Sequence, residues 1–441
     1  MALKGDRFDA HAFLDDAKAR GAGAAVVRRG TPPAEGLPFF EVDEPLRALG
    51  ALAAFHRRRF NLPVAAVAGS NGKTTTKEML ASILATRGPA LATEGNFNNE
   101  VGVPFTLFRL SREQGAAVVE LGMSVPGELS RLTEMTRPDA GVVTVIAEEH
   151  LEFLKDLDGV AEAEGELYRG LLPGAVAIVN ADDPRCVAQA ERVASGVRKI
   201  FFGKSAKADV RLIRVTPLGV GGQEICLEGE EGEGDGGADR SQPGSNLQLR
   251  NVIVRLGFVG EHNAMNATAA AATALALGFT FEEISRGLYD ARPHAHRSRV
   301  LAGAGGITIL DDCYNASPKS MEAALATLAA LNTGGEGRAV AVLGDMLELG
   351  DAEASAHREL GRSSRGRVDV AAFFGPRSSL TFEEFSSSSP SSPHPPSSSA
   401  HFMEIEPLLA WLRPQLGAGD ILLVKGSRGM KLERVVDALQ R

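Results

Sequence analysis

The sequence predicts an α/β protein of three domains. From residue 63 onward, short apolar segments alternate with helical stretches, which is typical of a parallel sheet covered by helices on both faces. A second strand–helix series begins near residue 298 and predicts a separate, Rossmann-like domain. The 441 residues also correspond to about three domains at roughly 150 residues each. We therefore expect domains over residues 1–62, 63–292 and 293–441, with the last join near Pro293.

Residues 1–62 are expected to form a small α/β domain. A helix and then a strand are predicted over residues 8–29, because apolar residues recur at helical spacing, Gly21 and Gly23 end the helix, and the segment AAVV follows. After a proline-rich linker, residues 45–60 predict a second helix. Its basic end, RRRF, suits the negative end of the helix dipole.

The two larger domains are predicted from their apolar segments. In the central domain these are the strands PVAAVAG, AAVVELG, AGVVTVI, AVAIVN and RKIFFG, with helices at KEMLASILATRG, near 127–136 and at about 262–277. In the C-terminal domain they are the strands ITILDD, AVAVLGD, DVAAFFG and DILLVKG, with helices at 319–331, near 352–365 and at 406–413.

Two inserts are predicted to be mobile loops. The first, at about residues 228–247, begins with EGEEGEGDGGAD, and the second, at about residues 378–400, contains SSSSPSSPHPPSSS. Neither composition offers enough apolar side chains to offset the entropy lost when a chain segment becomes ordered.

The composition excludes several classes of protein. Apolar residues make up 44% and charged residues 23%, which are ordinary values for a folded globular chain. Acidic residues outnumber basic ones 56 to 47, so a nucleic-acid-binding surface is not expected. No apolar run is long enough for a membrane span, and the N-terminus has no apolar signal core, so we expect a cytoplasmic protein.

The three cysteines argue against a metal or disulfide framework. Cys186, Cys226 and Cys313 lie far apart in the sequence, and no CxxC pair occurs. A zinc site is therefore not expected, and a reducing compartment fits this cysteine usage.

The strongest chemical signal is VAAVAGSNGKTTTKEML at residues 64–80, where an apolar strand leads through a glycine-rich loop into a helix. Glycines let successive N–H groups point at one anion, and the helix N-terminus adds partial positive charge. Lys73 is expected to reach the β- and γ-phosphates and Thr74 to bind Mg²⁺. Kinase, GTPase, motor protein and ligase all remain open at this point. The predicted nucleotide-binding loop comprises Gly69, Ser70, Asn71, Gly72, Lys73, Thr74 and Thr75.

Further strings resemble the Mur ligases, ATP-dependent cytoplasmic enzymes that build the peptidoglycan precursor. The short loop GSNGKTTT is similar to theirs, and the other strings occur in the family's order. They are EGNFNNEVGVP (94–104), VVELGMSVPGELSRLT (118–133), EEHLEFL (148–154), GEHNAMNATAAA (260–271), DDCYNASPKSM (311–321), AVLGDMLELG (341–350) and LLVKGSRGMKLE (422–433). The resemblance covers nearly the whole chain from residue 3, apart from the two inserts. The resemblance implies a central P-loop ATPase domain and a C-terminal ligase domain.

The resemblance also implies a reaction. ATP phosphorylates the terminal carboxylate of a UDP-N-acetylmuramoyl tripeptide, and the amine of D-alanyl-D-alanine attacks the resulting acyl phosphate. Bringing two anions together requires positive charge from a lysine, helix dipoles and metal ions. ATP and Mg²⁺ are thus the implied cofactors, and the tripeptide nucleotide and the dipeptide are the implied partners. We expect neither nucleic acid nor a membrane span, and we expect a monomer.

Metal-binding and catalytic roles follow from matched positions. Glu120 ends a strand at the carboxyl edge of the sheet, where ligands bind, although a solvated strand-end glutamate is the plain alternative. His150 matches a position beside a second Mg²⁺ and the γ-phosphate. The implied metal ligands are Thr74, Glu120, His150 and Glu164, and the implied catalytic residues are Lys73, His150, Glu164 and Arg297.

Glu164 is a departure from the family pattern. Mur ligases typically have AKGE here, with a carbamylated lysine that binds metal, whereas this chain reads Ala163-Glu164-Gly165-Glu166. We hypothesise that Glu164 supplies the metal-binding carboxylate directly, because a carboxylate offers the same charge and hard oxygen ligands. The alternative is a weakened second metal site.

Other matched positions imply contacts with nucleotide and substrate. Asn263 and Asn266 match adenine contacts, although helix capping is the alternative. Arg297 and Asp312 match residues on the phosphate and ribose sides of the nucleotide, and His296 replaces the glycine that usually precedes this arginine. The implied substrate-binding residues are Asn98, Asn99, Asn315, Asp345, Lys425, Ser427 and Arg428.

The N-terminus is the second departure. Family members usually begin with a longer sugar-nucleotide-binding domain, whereas Met1 here matches a position inside that domain, so residues 1–62 are expected to form only part of it. Three other functions stay open: a different amide ligase of the family, a P-loop kinase, and a nucleotide-binding homologue with impaired catalysis.

Overall fold

The protein is described by a computed structural model that covers residues 1–5, 8–232, 247–333, 337–387 and 398–440. Within these ranges the strands form three sheets, of two, nine and six strands. The predicted α/β fold class is therefore confirmed. The larger sheets lie in the two segments where the sequence shows its strand–helix alternation.

The N-terminal region is small. The helix predicted there is α1 (Leu14–Ala19), which follows a 3-10 turn, and it leads to the parallel strands β1 (Ala25–Arg28) and β2 (Phe39–Val42). Helix α2 (Pro45–Arg57) packs instead against the central sheet, because its buried Ala53 and Ala54 belong to the core beneath that sheet.

The central sheet is parallel over most of its width. Its strands are β3 (Val64–Ala68), β4 (Ala90–Ala92), β5 (Ala116–Glu120), β6 (Ala140–Val143), β7 (Val176–Asn180), β8 (Arg198–Gly203), β9 (Val210–Pro217), β10 (Gln223–Gly232) and β11 (Leu247–Leu256). Their order is β11-β10-β9-β8-β7-β6-β3-β5-β4, and pairing is parallel from β4 to β9. The antiparallel additions β10 and β11 were not predicted, because their alternating polar residues differ from the continuous apolar runs of the buried strands.

Helices cover both faces of the central sheet. They are α3 (Lys73–Leu84), α4 (Gly102–Phe108), α5 (Glu128–Thr136), α6 (Leu151–Leu154), α7 (Leu157–Glu164), α8 (Glu166–Gly170), α9 (Pro184–Ala190), α10 (Glu261–Ala276) and α11 (Phe281–Asp290). Helix α10 is buried continuously from Ala267 to Leu275, because its alanines let it approach the sheet closely. None of the helices in the described ranges has the length and apolarity that crossing a membrane requires.

The C-terminal region has its own six-stranded sheet. Its strands are β12 (Arg299–Ala302), β13 (Thr308–Asp311), β14 (Ala339–Gly344), β15 (Val370–Phe374), β16 (Ser398–Phe402) and β17 (Ile421–Lys425), in the order β12-β13-β17-β14-β15-β16. Only β12 is antiparallel to its neighbour. The helices are α12 (Pro318–Leu331), α13 (Glu353–Ser364), α14 (Ser378–Ser386), α15 (Ile405–Leu412) and α16 (Glu433–Gln440).

Parts of both predicted mobile inserts form regular secondary structure instead. Residues 228–232 of the first belong to β10, which pairs with β11 along its whole length. Residues 378–386 of the second form α14, and residues 398–402 form β16. The helix forms because Phe385 is buried against Phe373, with ring centroids 5.3 Å apart. The remaining parts, 233–246 and 388–397, lie outside the described residues.

Candidate functional site

The glycine-rich loop follows β3 and opens directly into α3, as the sequence predicts. Gly69 and Gly72 have φ angles of +116° and +86°, a region that glycine adopts without steric cost. A Cβ atom on Gly69 would lie 2.2 Å from Thr144 Oγ1, and one on Gly72 would lie 2.2 Å from Asn266 Oδ1. Backbone conformation and close packing therefore both require glycine at these two positions.

Lys73 lies at the start of α3 among carboxylates. Its Nζ donates to the Gly69 carbonyl at 2.5 Å and lies 3.5 Å from Glu149 Oε2. Burial by itself would lower the pKa of Lys73, but the charges of Glu149, Glu164 and Glu120 outweigh it and raise the pKa. The ammonium group is therefore held protonated beside the phosphate loop.

Three carboxylates near the loop each have a buried oxygen without a hydrogen-bond partner among the described residues. They are Glu120 Oε2, Glu149 Oε1 and Glu164 Oε2. Glu120 ends β5, and its other oxygen accepts a hydrogen bond of 2.8 Å from Asn98 Nδ2. Burial, reinforced by the neighbouring Glu149, raises the pKa of Glu164 well above its ordinary value. Unpartnered buried carboxylate oxygens are the ligands that a hard dication such as Mg²⁺ prefers, so each of these oxygens suits one. Within the described ranges the ligand atoms of the three carboxylates do not all lie within 4.8 Å of one another, so they do not form a single three-carboxylate site.

His150 does not join these carboxylates. Its Nδ1 lies 2.9 Å from Glu348 Oε2 of the C-terminal region, and its backbone φ is +49°. In the described part of the chain, the ligand atoms of Glu120, His150 and Glu164 do not all come within 4.8 Å of one another. The left-handed backbone at the start of α6 turns the imidazole across the cleft instead.

The two asparagines of α10 form the floor beneath the loop. Asn263 Nδ2 donates to the Val259 carbonyl at 2.8 Å, and Asn266 Nδ2 donates to Asn263 Oδ1 at 3.1 Å. Asn266 also packs against Gly72. Both side chains line the cleft, so the local hydrogen bonds position them there rather than excluding a ligand role.

The C-terminal region contributes charged side chains to the same place. Arg297 stacks on the Tyr314 ring at 3.9 Å, and its Nη2 donates to Thr74 Oγ1 at 3.3 Å. Lys425, only 3% exposed, donates to Asp312 Oδ2 at 2.6 Å and to the Asn315 carbonyl at 3.0 Å. These contacts join the segment before β12, the loop after β13 and the end of β17 to one another, and Arg297 also reaches α3 of the central region.

The remaining predicted substrate residues differ in their surroundings. Ser427 Oγ accepts the Leu347 N–H at 2.9 Å, and the Arg428 guanidinium lies 5.5 Å from the centre of the Tyr314 ring. Asn99 Oδ1 accepts the Gly102 N–H at 2.8 Å at the start of α4.

The structure does not bring Asp345 to the cleft. Its buried carboxylate accepts the N–H groups of Arg377 and Ser378 at 3.3 Å and 2.7 Å, and therefore stabilises the start of α14. A carboxylate at a helix N-terminus satisfies free N–H groups and the helix dipole.

A cleft of about 1160 Å³ between the central and C-terminal sheets brings most of the predicted residues together. Gly69 and Glu164 are not among the residues that line it. The predicted residues that line it are Ser70, Asn71, Gly72, Lys73, Thr74, Thr75, Asn98, Asn99, Glu120, His150, Asn263, Asn266, Arg297, Asp312, Asn315, Lys425, Ser427 and Arg428.

Sequence reasoning missed three residues of this cleft. Glu149 contacts Lys73, Tyr314 stacks with Arg297, and Ser317 Oγ donates to Asn71 Oδ1 at 3.2 Å across the domains. Each lies inside one of the strings that resemble the Mur ligases, so that string is the signal that could have indicated it. Which neighbour of His150 faces the lysine depends on the turn into α6 and cannot be inferred from residue type.

Comparisons with known proteins agree with this geometry. Residues 67–274 match the Mur ligase middle domain, and residues 296–428 match the Mur ligase glutamate ligase domain. The UDP-N-acetylmuramoyl-tripeptide–D-alanyl-D-alanine ligase of Escherichia coli (strain K12) is 37% identical over 447 residues, which cover 100% of this chain and 90% of that protein.

Two solved structures are similar along the whole chain. MurF from Acinetobacter baumannii (crystal structure I) has a TM-score of 0.85 at 33% identity and covers 100% of this chain and 89% of its own. MurF ligase from Thermotoga maritima in complex with ADP has a TM-score of 0.80 at 27% identity, with 99% and 92% covered. Matches to both domains and full-length relatives above 30% identity show that this chain belongs to the Mur ligase family.

Proposed function

We propose that this chain is an ATP-dependent ligase that joins D-alanyl-D-alanine to a UDP-N-acetylmuramoyl tripeptide through an acyl phosphate. Full-length relatives that bear this name support the substrates, and the ADP complex of the Thermotoga relative supports the nucleotide. The observation that carries the proposal is the cleft itself. The phosphate loop on one side faces the cationic Arg297, Lys425 and Arg428 on the other, so two anions can meet there.

The phosphate loop is proposed to hold the triphosphate. The N–H groups at the start of α3 and the protonated Lys73 supply positive charge to the β- and γ-phosphates. Asn263 and Asn266 would lie beside adenine, and Asp312 beside the ribose, because all three line the cleft.

The carboxylates are proposed to hold Mg²⁺. Thr74 and Glu120 would hold one ion, and Glu164 with Glu149 would hold a second, because each of the three carboxylates has a buried oxygen without a partner in the described ranges. When bound, Mg²⁺ supplies Lewis-acid stabilisation of charge on the phosphate oxygens. His150 lines the cleft and is proposed to contact the γ-phosphate.

The chemistry proceeds in two displacements. A carboxylate oxygen of the tripeptide attacks the γ-phosphorus, so that an O–P bond forms and ADP leaves. The dipeptide amine then attacks the acyl carbon, an amide bond forms and phosphate leaves. Arg297 is positioned against Thr74 and can stabilise the negative charge that develops on the transferred group.

Water must be kept from the acyl phosphate, and the contacts between domains serve this purpose. Arg297 reaches Thr74, and Ser317 reaches Asn71, so the C-terminal region covers the phosphate loop directly. Residues 1–62 are proposed to contribute to binding of the UDP-sugar. Asn98, Asn99, Asn315, Ser427 and Arg428 are proposed to contact the peptide substrates, and Asp345 is left out because it is buried beside α14.

Assay of the purified full chain tests this proposal. With ATP, Mg²⁺, D-alanyl-D-alanine and the muramyl tripeptide nucleotide, in its lysine and diaminopimelate forms, we expect phosphate release that requires both peptide substrates. Mass spectrometry should detect the pentapeptide nucleotide. Absence of that product with both tripeptides would contradict the proposal.

The same assay distinguishes the alternatives. Product formation with a different amino acid indicates another ligase of the family, and phosphorylation without joining indicates a kinase. Thermal stabilisation by ATP without turnover indicates a nucleotide-binding homologue that has lost catalysis.

A further inference from the structure

A compact group of potential metal ligands lies at the join between the central and C-terminal regions. It consists of His296, Asp311 and Cys313, and we refer to these three residues as the His296 cluster. His296 Nδ1 lies 2.9 Å from Asp311 Oδ2 and 3.6 Å from Cys313 Sγ, and Cys313 Sγ lies 3.0 Å from Asp311 Oδ1. One ligand atom from each residue thus lies within 4.8 Å of the other two.

These distances are close to those in a tetrahedral metal site. Zinc bonds of about 2.0–2.3 Å place neighbouring ligand atoms roughly 3.3–3.8 Å apart. The cluster therefore has to open by only a few tenths of an ångström to surround such an ion. Imidazole nitrogen, thiolate sulfur and carboxylate oxygen together are a donor set for zinc and its transition-metal neighbours rather than for Mg²⁺.

The surroundings favour a cation as well. Asp311 and Cys313 are 2% and 0% exposed, whereas the imidazole side of the cluster is open to solvent, with His296 27% exposed, so an ion has a route of entry. Glu433 is near enough for its charge to act on Cys313, and its buried Oε2 is without a partner in the described ranges. Glu433 is not one of the residues whose ligand atoms lie within 4.8 Å of the other three, so a water molecule would supply the fourth ligand.

The cluster is closed by hydrogen bonds when no ion is bound. The Cys313 thiol donates to Asp311, and burial together with the Asp311 charge raises the pKa of the thiol. A divalent ion would replace that proton: the metal–sulfur bond forms, the S–H bond breaks and the proton passes to water. Sequence spacing does not predict this arrangement, because His296 precedes β12, Asp311 ends β13 and Cys313 follows it, and the three residues contain no CxxC pair.

From this geometry we propose that the His296 cluster is a binding site for a transition-metal dication, with Zn²⁺ as the natural occupant. Arg297 directly follows His296, and Tyr314 directly follows Cys313. Arg297 and Tyr314 stack on each other beside the phosphate loop. The Tyr314 N–H also donates to the His296 carbonyl at 3.1 Å. A bound ion would thus tie together the two segments that position this stack.

Cobalt binding tests the proposal in a way that does not depend on ligase activity. The purified full chain is stripped with a chelator, supplied with excess Mg²⁺ to occupy oxygen-only sites, and titrated with Co²⁺. We expect one equivalent to bind with a thiolate-to-cobalt charge-transfer band in the near ultraviolet. Zn²⁺ should then abolish the band by displacing the Co²⁺.

Three variants locate the site. His296→Gly should fold normally, because glycine readily adopts the φ of +62° at this position, and it should weaken Co²⁺ binding at least tenfold. Cys313→Ser should weaken binding by at least the same factor and should also lose the charge-transfer band, because it removes the sulfur. Cys226→Ser changes a thiol outside the cluster and should bind as the parent chain does.

Three results would overturn the proposal. They are the absence of a charge-transfer band in the parent chain, its persistence in the folded Cys313→Ser variant, and unchanged affinity in His296→Gly. Circular dichroism tests whether each variant is folded. If Cys313→Ser does not fold, the Co²⁺ affinity of His296→Gly alone tests the proposal.

Discussion

The two sides of the cleft are built in different ways. On the central side, one continuous segment from Gly69 to Thr75 supplies the phosphate loop, and a single strand–loop–helix unit positions it. On the C-terminal side the charged residues come from three separate segments: Arg297 before β12, Asp312 after β13, and Lys425 and Arg428 at and just after the end of β17. An ion pair and stacking on Tyr314 connect these segments. An anion site built from one continuous segment can therefore be predicted from sequence, whereas a site assembled from separate segments depends on long-range packing.

The largest effect is expected on the central side. Replacing Lys73 with Ala removes the partly buried ammonium that is proposed to face the triphosphate, and should lower kcat about 100- to 1,000-fold. Steady-state phosphate release measures this effect. Lys77→Ala is not a suitable control because Lys77 is buried, so exposed Lys155→Ala serves instead and should retain activity. If Lys73→Ala kept the kcat of the parent chain, the phosphate loop would have no role in catalysis.

The next effect concerns the stability of the C-terminal side. Lys425→Met leaves the Asp312 carboxylate without its ammonium partner in a nearly buried position, and should lower the free energy of unfolding by about 3 kcal/mol. Urea unfolding measures the change. Adding Asp312→Asn removes the unpaired charge and should restore much of the loss. If the double variant is no more stable than Lys425→Met, the ion pair does not explain the stability of this side.

A smaller effect on activity is expected at Glu164. Glu164→Gln keeps the side chain's size but replaces the carboxylate proposed to hold Mg²⁺ with an amide, and should lower kcat about 10- to 100-fold in the presence of Mg²⁺. Glu162→Gln, two residues earlier on the same helix and half exposed, is the matched control and should behave as the parent chain does. Unchanged activity in Glu164→Gln would contradict a role as metal ligand.

Glu164→Lys extends this comparison. If the position accepts the carbamylated lysine of the family, activity of this variant should rise when bicarbonate is added. The parent chain should not respond to bicarbonate, because its carboxylate needs no modification.

The smallest effect is expected at the far end of α3, where the Arg87 guanidinium contacts Glu283 of α11. Hydrogen bonding from Arg87 lowers the pKa of Glu283 from 4.5 to about 2, so the pair stabilises the fold above pH 4.5 and loses this contribution as the pH falls towards 2. Because both groups are partly exposed, Glu283→Gln should cost only about 0.5–1 kcal/mol at pH 7.

The difference between Glu283→Gln and the parent chain should shrink steadily below pH 4.5 in chemical unfolding experiments. Glu282→Gln changes the same charge on the exposed neighbour and should show no such trend. A difference independent of pH would mean that the charge of Glu283 does not act through this pair.

The fold, like the cleft, is predictable where it depends on one continuous segment and not where it depends on contacts between distant segments. Buried parallel strands such as Val64–Ala68 are continuous apolar runs, and their pattern specifies them directly. The antiparallel strands β10 and β11 at one end of the central sheet are not predicted, because polar residues alternate along each of them. Helix α14 is not predicted, because it leads into a serine-rich segment. The burial of its Phe385 depends on Phe373 of strand β15, which the local sequence does not reveal.

The sequence by itself determined the α/β class, the phosphate loop and the strings that identify the family, because each depends on neighbouring residues and their φ preferences. Tertiary structure alone decided that Asp345 stabilises a helix, that His150 faces Glu348, and that Glu149 contacts Lys73. It also brought His296 to Asp311 and Cys313. The physical reason is that side-chain contacts across elements are set by packing and backbone turns, which residue spacing does not encode.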